Sequence, residues 1–345
     1  MSKGNINYKY LRRRKSWFRR NLDIILVYTG IALAAIMVVL VILMKIFSFG
    51  FFADKGNNDN NQNIQVQEAP EPVKEIVWHE DKEPEADEVL YTPPEDARYP
   101  YYIRVNRAAN CVTVYGIDKN SEYTIPVKSF ACSCGRQGEE TIIGTDFATS
   151  DKYTWRLMVD GTYGQYADRI YEGYLFHSVP YFKQDKSTLE TEEFNKLGSF
   201  ASLGCIRMCV RDVKWIYDNC PVYTRVTIYD DAANPGPLGK PETIKIPLDS
   251  PNAGWDPTDP DEANPWKDSH AQIKGAADLS CRVGESIDIK KSVTATDTCG
   301  NDITDKIITI GRYTFDQAGE YSITYKVTDA IGSTDTKTIK LTVVN

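Results

Sequence analysis

The sequence predicts a mainly β protein with two folded domains, preceded by one transmembrane helix. Three observations support this fold class. Residues 24–44 carry no charge, alternating apolar and polar residues begin at Tyr101 and recur as far as Val343, and two segments rich in Pro and acidic residues separate these regions. At 345 residues, the chain has room for about two domains of roughly 100–200 residues each.

The transmembrane helix is predicted from the run of 21 uncharged residues at 24–44. At about 1.5 Å per residue, a helix of this length crosses the ~30 Å hydrocarbon core of a membrane. The apolar part of a secretory signal peptide is shorter, about 7–15 residues. We therefore predict a transmembrane helix over residues 24–45, with a cleaved signal peptide as the alternative.

The residues before this run predict its orientation. Residues 1–20 contain eight Lys and Arg and no acidic residue, and such positive segments stay in the cytoplasm. Residues 1–23 are thus predicted to be a basic cytoplasmic tail, and the chain after residue 45 to be extracytoplasmic, facing the cell wall. Removing these eight charges from the net charge of −8 leaves −16 for residues 21–345, which argues against a nucleic-acid partner.

The first domain is predicted over residues 98–231. It follows a disordered acidic linker, residues 46–97, which has too few apolar residues to bury a core. From Tyr101 the stretches YYIRVN, CVTVYGI and YTIPVKSFACS alternate with period two and predict a β-meander. Further short β runs and one helix, with apolar residues at helical spacing over 210–219, complete a mixed β domain.

The second domain is predicted over residues 271–345. Prolines and aspartates mark residues 232–270 as a second linker. The C-terminal residues form two strands of clear alternation, at 321–327 and 339–343. A unit of about 75 residues with this pattern predicts an immunoglobulin-like β-sandwich.

One histidine is placed to activate a cysteine thiol in a folded domain. His177 is the only histidine inside a predicted domain, because His79 and His270 lie in the linkers. A thiol with a pKa near ~8.5 needs a base or a positive field to react as a thiolate at neutral pH. Among the cysteines, Cys205 differs by its frame SLGC, in which Gly204 permits a tight turn.

A turn before Cys205 also predicts an oxyanion hole. If a helix starts near Val210, the N–H groups of residues 204 and 205 would point at an incoming carbonyl oxygen. Arg207 is expected to hold a substrate carboxylate, with a surface ion pair as the alternative. Taken alone, a cysteine such as Cys205 is more often buried or disulfide-bonded than a nucleophile, and a lone histidine such as His177 is more often a core residue than a base.

The remaining cysteines suggest structural roles. Cys281 and Cys299 are expected to form a disulfide in the second domain, typically worth ~2–4 kcal/mol in an exported protein. Cys209 and Cys220 are a weaker candidate pair in the first domain. The sequence CSC at residues 132–134, with a single histidine in the domain, is a poor zinc set, so we expect no metal.

Three stretches carry a family resemblance: FHSVPY around His177, NKLGSFASLGCIRM around Cys205, and the following DVKWIYDNCPVYTRVTIYD. Together they resemble L,D-transpeptidases of the YkuD type, over roughly residues 100–231. The family pattern is a histidine, a variable stretch, then Ser/Thr-His-Gly-Cys with Arg or Asn two residues after the cysteine. Here Leu203 replaces the usual second histidine, and a longer interval indicates an inserted loop at residues 183–195 that could act as a lid.

The resemblance implies a role for each matching residue. His177 would be the base, Ser178 would orient it through its backbone carbonyl, and Gly204 with Cys205 would frame the oxyanion hole. Residues expected to bind substrate or line the cleft are Arg207, Ser202, Tyr181, Tyr166, Tyr163 and Arg169. No cofactor is implied.

The resemblance also implies a reaction. Cys205 would attack the carbonyl of the third residue of a peptidoglycan stem peptide and expel the terminal D-amino acid, leaving a thioester. An amine of a neighbouring stem would then form a cross-link, whereas water would make the enzyme a carboxypeptidase. The alternative is a non-catalytic wall-binding or scaffold protein, with Leu203 marking a degenerate site. The second domain resembles immunoglobulin-like repeats of bacterial surface proteins, and its ligand stays open.

Overall fold

The computed structural model describes residues 76–82 and 91–345. The cytoplasmic tail and transmembrane helix predicted over residues 1–45 lie outside the described residues, as does most of the linker predicted before the first domain. In the described ranges, no helix is long and apolar enough to cross a membrane.

The described chain is mainly β, as predicted, with mixed sheets and few helices. The elements up to the end of the first domain are β1 (His79–Asp81), β2 (Tyr101–Asn106), β3 (Cys111–Ile117), β4 (Tyr123–Ala131), β5 (Gly144–Ala148), β6 (Lys152–Leu157), β7 (Tyr163–Tyr171), β8 (Tyr174–Ser178), α1 (Thr191–Phe194), β9 (Ile206–Met208), α2 (Val210–Asn219) and β10 (Arg225–Tyr229).

Two sheets build the first domain. One has the order β4-β3-β2-β10-β5 and the other β6-β7-β8-β9. The pairs β10·β2 and β8·β9 are parallel, and the other pairs are antiparallel. Apolar residues of both sheets meet the buried side of α2, represented by Val213 and Ile216, in one core. Each such side chain contributes roughly 1.5–3 kcal/mol on burial, so this core holds the two sheets and the helix together.

The second domain is built from strands of 3 to 11 residues. They are β11 (Gln272–Lys274), β12 (Leu279–Arg282), β13 (Thr294–Thr296), β14 (Ile308–Tyr313), β15 (Gly319–Thr328) and β16 (Thr334–Val344). The sheets have the orders β1-β14-β15-β16-β12 and β11-β13. Their inward-facing residues, among them Ile323, Tyr325 and Leu341, form a second core.

Strand β1 precedes the first domain in the chain yet belongs to a sheet of the second. It pairs antiparallel with β14, with His79 opposite Tyr313, and the two rings stack at 4.8 Å between centroids. The chain therefore contacts the second domain before it enters the first and again after it leaves.

Residues 232–270 contain no strand and one short 3₁₀ helix, Pro265–Asp268. Several of their side chains are nevertheless buried, including those of Asp256 and Trp266. Trp266 belongs to a third cluster of buried residues, which also contains Tyr181 and Phe194 of the first domain and Cys299 of the second. We call this cluster the linking core, because it joins the two domains through the segment between them.

All eight cysteines lie in the described residues and all are free thiols. The disulfide predicted between Cys281 and Cys299 is therefore wrong: Cys281 faces the second core, whereas Cys299 faces the linking core. The weaker pair, Cys209 and Cys220, occupies opposite ends of the ten-residue helix α2. At about 1.5 Å per residue these ends are roughly 15 Å apart, well beyond the Cα separation of about 4.4–6.8 Å that a disulfide spans.

Candidate active site

His177, Cys205 and Arg207 meet where the parallel strands β8 and β9 lie side by side. His177 is in register with Arg207, and Cys205 is the residue before β9 begins at Ile206. Beside β9, Ser133 exchanges two backbone hydrogen bonds with Arg207, of 2.8 and 2.9 Å. The strand register thus fixes the backbone positions from which all three functional side chains extend.

The imidazole of His177 is almost completely buried, with 2% of the residue exposed. Its Nδ1 lies 2.6 Å from the backbone carbonyl of Ser178. Because a carbonyl oxygen can only accept, Nδ1 carries the proton and Nε2 keeps a free lone pair. Burial, together with the nearby Arg207 cation, lowers the pKa of His177 to about 3. The side chain is therefore neutral at physiological pH and can accept a proton at Nε2.

Cys205 is partly buried, and burial raises the pKa of its thiol above the ordinary value. Its Sγ donates a hydrogen bond to the carbonyl of Gly173 at 3.5 Å. Within the described structure no hydrogen bond joins Sγ to His177. The site accordingly holds a neutral thiol and a neutral imidazole, and nucleophilic attack requires transfer of the thiol proton to a base.

The turn before the nucleophile is held by side-chain hydroxyl groups. Gly204 has φ +111°, a backbone conformation that favours glycine. The buried Ser202 donates from Oγ to the Cys205 carbonyl at 2.6 Å and accepts from the Gly204 N–H at 3.1 Å. Thr141 donates from Oγ1 to the Gly204 carbonyl at 2.8 Å. Ser202 and Gly204 therefore shape the turn that presents Cys205.

This geometry differs from the oxyanion hole expected from the sequence. The Gly204 N–H already donates to Ser202 and does not point at a substrate oxygen. Strand β9 separates Cys205 from α2, whose first N–H, of Val210, donates to Oδ2 of Asp256 at 2.8 Å. The N-terminus of the helix is thus capped by a buried carboxylate from the following segment and is not directed at Cys205.

Arg207 is a buried cation with unused hydrogen-bonding capacity. The residue is 6% exposed, and its Nη1 donates to Oε2 of Glu193 in α1 at 2.7 Å. Its Nε is buried and has no hydrogen-bond partner in the described structure. An unpaired buried donor of this kind costs roughly 1–3 kcal/mol. The inserted loop predicted at 183–195 supplies Glu193, which holds this arginine in place.

His177, Cys205 and Arg207 open into one cavity of about 160 Å³. Three cationic side chains and one acidic side chain line it together with an apolar wall. The lining residues are Arg156, Leu157, Met158, Val159, Asp160, Arg169, Gly173, Leu175, His177, Pro180, Leu203, Cys205 and Arg207. A ligand with both charged and apolar parts fits such a wall.

The tyrosines expected at the cleft do not line this cavity. Tyr181 is fully buried, and its ring packs edge-on against Trp155 at 5.3 Å. Tyr166 packs against Tyr217 at 5.4 Å. Tyr163 hydrogen-bonds through its backbone to Tyr181. Tyr181 and Tyr166 pack in the cores, and Tyr163 supports the strands through its backbone.

The hairpin between β6 and β7 is a part of the site that the sequence analysis did not single out. Its tip brings Leu157, Val159 and Asp160 to the cavity, and Val159 is 94% exposed. The dipeptide Asp160-Gly161, between two β-type runs, is a strong hairpin signal and could have identified it.

Within the described residues, no group of three or more His, Cys, Asp or Glu could hold a metal ion.

Two family models match the chain. Residues 100–228 match the L,D-transpeptidase catalytic domain, YkuD. Residues 271–343 match the Ig-like domain of bacterial surface proteins. These matches confirm the family resemblance predicted for both domains.

One individual relative matches a short part of this chain. The putative L,D-transpeptidase YciB of Bacillus subtilis (strain 168) is 51% identical over 55 residues, which is 16% of this chain. This chain spans 27% of the length of that relative.

Solved structures give weaker likenesses. An L,D-transpeptidase from Mycobacterium smegmatis has 19% identity and a TM-score of 0.31, with 38% of this chain and 58% of that one covered. A fused Zn-dependent amidase/peptidase/peptidoglycan-binding protein from Clostridium acetobutylicum ATCC 824 has 26% identity and a TM-score of 0.30, with 40% and 55% covered.

Proposed function

We propose that this protein is a cysteine acyltransferase that cross-links peptidoglycan stem peptides, with Cys205 as nucleophile and His177 as base. The family match of residues 100–228 supports the class of enzyme. The hydrogen bond from Nδ1 of His177 to the Ser178 carbonyl carries the mechanism, because it leaves Nε2 as a proton acceptor in the cavity that Cys205 lines.

The first half of the reaction forms a thioester. As Sγ of Cys205 attacks the carbonyl carbon of the third stem residue, its proton passes to Nε2 of His177. The amide C–N bond then breaks, and the departing D-amino acid takes the proton from the imidazolium. Arg207, whose side chain lines the cavity, would bind an oxygen of the donor.

The second half transfers the acyl group to an amine. The amine of a neighbouring stem attacks the thioester carbonyl and gives a proton to His177. The C–S bond breaks, and the Cys205 thiolate recovers that proton. Water in place of the amine releases a free acid, so a carboxypeptidase is the second candidate activity within this proposal.

A carbapenem tests the proposal, because its strained amide acylates only an activated nucleophile. We expect the full chain to gain the mass of one carbapenem, with the adduct mapped to Cys205 among the eight cysteines. Cys205→Ala should form no adduct and should release no D-amino acid from a tetrapeptide stem. Either an adduct on another cysteine or turnover by Cys205→Ala would contradict the assignment.

The same assay separates the enzyme from a non-catalytic scaffold. Leu203 lies at the cavity in the position where the family usually has histidine. A degenerate site predicts that the natural chain is inert and that Leu203→His reacts. We expect the natural chain to react without this change, because the proton acceptor is His177.

For localisation, we propose an extracytoplasmic catalytic domain held at the cell membrane by residues 24–45. The 21 uncharged residues and the eight preceding basic residues support this topology. Protease added to intact wall-stripped cells should then remove the two domains. Full protection of both domains would contradict this topology.

A further inference from the structure

Two buried thiols lie side by side in the segment that follows β4. Cys132 and Cys134 are both fully buried, and their Sγ atoms are 3.9 Å apart. Residues two apart in an extended segment project to the same side of the chain, so the two thiols face each other while Ser133 between them points away. The proposed reaction uses Cys205 and leaves this pair without a role.

The backbone of this pair is hydrogen-bonded to both parts of the active site. Ser133 exchanges its two backbone hydrogen bonds with Arg207 of β9. The carbonyl of Cys134 accepts from the N–H of Ser202, at 3.1 Å, in the turn that presents the nucleophile. A displacement of the segment 132–134 is therefore transmitted to β9 and to this turn.

A disulfide between the two thiols requires such a displacement. Its sulfur atoms are about 2.05 Å apart, so the two Sγ atoms must approach each other by roughly 2 Å. At about 3.3 Å per residue, the Cα atoms of residues two apart in an extended segment are separated by roughly 6.6 Å, near the upper limit of the span of a disulfide. The segment must contract to form the bond, while its hydrogen bonds to Arg207 and Ser202 hold it extended. The disulfide and these hydrogen bonds therefore compete.

A cavity of about 360 Å³ lies beside the pair. Gly135, the residue after Cys134, lines it together with Arg107 and Phe200. The hydrogen bond from Arg107 to Asp230 raises the pKa of the guanidinium, and the nearby Cys134 adds to this shift, so Arg107 and Cys134 are close enough for their charges to interact. A small opening of the segment would thus expose the thiol to an oxidant of the size of hydrogen peroxide.

We propose that Cys132 and Cys134 form a peroxide-sensitive pair, whose disulfide releases β9 and the turn before Cys205 and so slows the reaction at Cys205. This inference goes beyond the proposed function, because the modified residues take no part in acyl transfer. The extracytoplasmic location proposed above favours such a modification, because thiols are kept reduced in the cytoplasm but not outside it.

The modification proceeds in two steps. The Cys134 thiolate attacks one oxygen of hydrogen peroxide, the O–O bond breaks, and the departing hydroxide takes up the proton that the thiol had lost. Sγ of Cys132 then attacks the sulfur of the resulting sulfenic acid, the S–O bond breaks, and the hydroxide leaves as water with the Cys132 proton. Two thiols and one peroxide give one disulfide and two waters, and the two sulfur atoms supply the two electrons that reduce the peroxide.

Peptide mapping of peroxide-treated Cys205→Ala tests whether the bond forms, because the active-site thiol is then absent. The tryptic peptide 129–136 contains no cysteine besides the pair. We expect it to lose the mass of two hydrogen atoms and to recover that mass with dithiothreitol. Cys132→Ala in the same background should show no such loss. Absence of a disulfide, or a bridge to Cys111 instead, would overturn the inference.

Hydrogen exchange on the same samples tests the structural effect without any need for activity. The N–H groups of Ser202 and Arg207 should exchange at least about tenfold faster in the oxidised protein, because their acceptors in the segment have moved. Peroxide-treated Cys132→Ala, which cannot form the disulfide, is the control and should show no change. Unchanged exchange in a protein that carries the disulfide would also overturn the inference.

The rate constant of carbapenem acylation tests the effect on the active site of the natural chain. Peroxide that oxidises Cys205 itself lowers only the amount of adduct, whereas the disulfide should lower the rate constant of the molecules that still react, at least about tenfold. Cys132→Ala should keep its rate constant after the same treatment. Cys281→Ala, which loses a buried cysteine of the second domain, should respond as the natural chain does.

The outcomes separate this inference from the proposed function. An unchanged rate constant in a natural chain that carries the disulfide would overturn the inference and leave the proposed function standing. Failure of the proposed function would show as the absence of a carbapenem adduct on Cys205 in the fully reduced natural chain. Peptide mapping and hydrogen exchange decide on the disulfide and its structural effect in that case as well.

Discussion

At the scale of single residues, the surroundings of His177 and Cys205 set their protonation states. Burial and Arg207 lower the pKa of His177 to about 3, and burial raises the pKa of the Cys205 thiol. Both groups are then uncharged over the whole physiological range. The pair differs in this respect from a preformed thiolate–imidazolium pair, which needs the two pKa values in the opposite order.

These pKa directions predict that the rate of carbapenem acylation is nearly independent of pH around neutrality. Between pH 5 and 8 the imidazole stays deprotonated and the thiol protonated, so the rate constant for carbapenem acylation should vary by less than about twofold. Above this range the rate should rise as thiolate forms. Mass spectrometry of timed samples measures the rate.

His177→Gln provides the control for this profile. Without a base, its rate should follow the thiolate fraction and increase steadily with pH. A step near pH 6.5 in the natural protein would contradict the prediction, since it would mean that His177 titrates at its ordinary value.

The sequence predicted some residue contacts and missed others for a physical reason. The carbonyl of Ser178 next to His177 follows from the chain itself, because the two residues are neighbours. The bond from Gly204 to Ser202 depends on a side-chain rotamer inside a turn, and a tight turn alone does not specify which acceptor its N–H meets. The expectation that the Gly204 N–H faces a substrate oxygen failed at this point, and the part of the expected oxyanion hole that uses the Cys205 N–H stays a prediction.

At the scale of elements, β7 positions the histidine on β8. A Cβ atom added at Gly164 would lie 2.8 Å from Nδ1 of His177 and 2.5 Å from Cε of Met158. Glycine at this position therefore leaves space for the imidazole to reach the Ser178 carbonyl. Strand β7 is as much a part of the site as the strands that carry the reacting groups.

Gly164→Ala tests this role of β7. The added methyl group should displace the imidazole and break its hydrogen bond to Ser178, which slows carbapenem acylation at least about tenfold because catalysis depends on geometry within ångströms. Gly144→Ala is the matched control, because its added Cβ would lie 2.4 Å from Cζ of Phe147 in the other sheet and would not approach His177. Circular dichroism should be unchanged in both variants, and equal rates would contradict the role.

Element prediction succeeded where apolar residues recur in the sequence with the period of the element. The alternation in β2 and β3 and the helical spacing in α2 gave these elements close to their observed bounds. Strand β7 went unrecognised because Gln165 and Asp168 are buried among its apolar residues, which removes the alternating pattern. A strand covered on both sides carries no period-two signal.

At the scale of the whole molecule, the linking core makes the two domains interdependent. Trp266 is 5% exposed and donates from Nε1 to the Trp255 carbonyl at 3.2 Å. Arg211 of α2 adds a bond from Nη1 to the Ile331 carbonyl at 2.9 Å. The sequence could not predict this arrangement, because the proline- and aspartate-rich composition of residues 232–270 indicates the absence of regular elements but not the absence of buried side chains.

Trp266→Ala tests this interdependence by differential scanning calorimetry. The natural chain should unfold in one transition that includes both domains. Removing the buried indole should lower the free energy of unfolding by about 3–5 kcal/mol and separate the transition into two. Trp78→Ala is the control, because Trp78 is 41% exposed and lies outside the linking core. Two transitions in the natural chain would contradict the prediction.

The pairing of β1 with β14 has a consequence for the order of events during synthesis. His79 leaves the ribosome more than two hundred residues before its partner Tyr313. Because translation adds about 5–20 residues per second, β1 lacks its partner strand for roughly 10–50 seconds. Strand β1 can therefore dock only after β14 has been made, and its docking closes a loop that contains the whole catalytic domain. Strand β1, the first described strand to be translated, is therefore among the last to adopt its native position in a sheet.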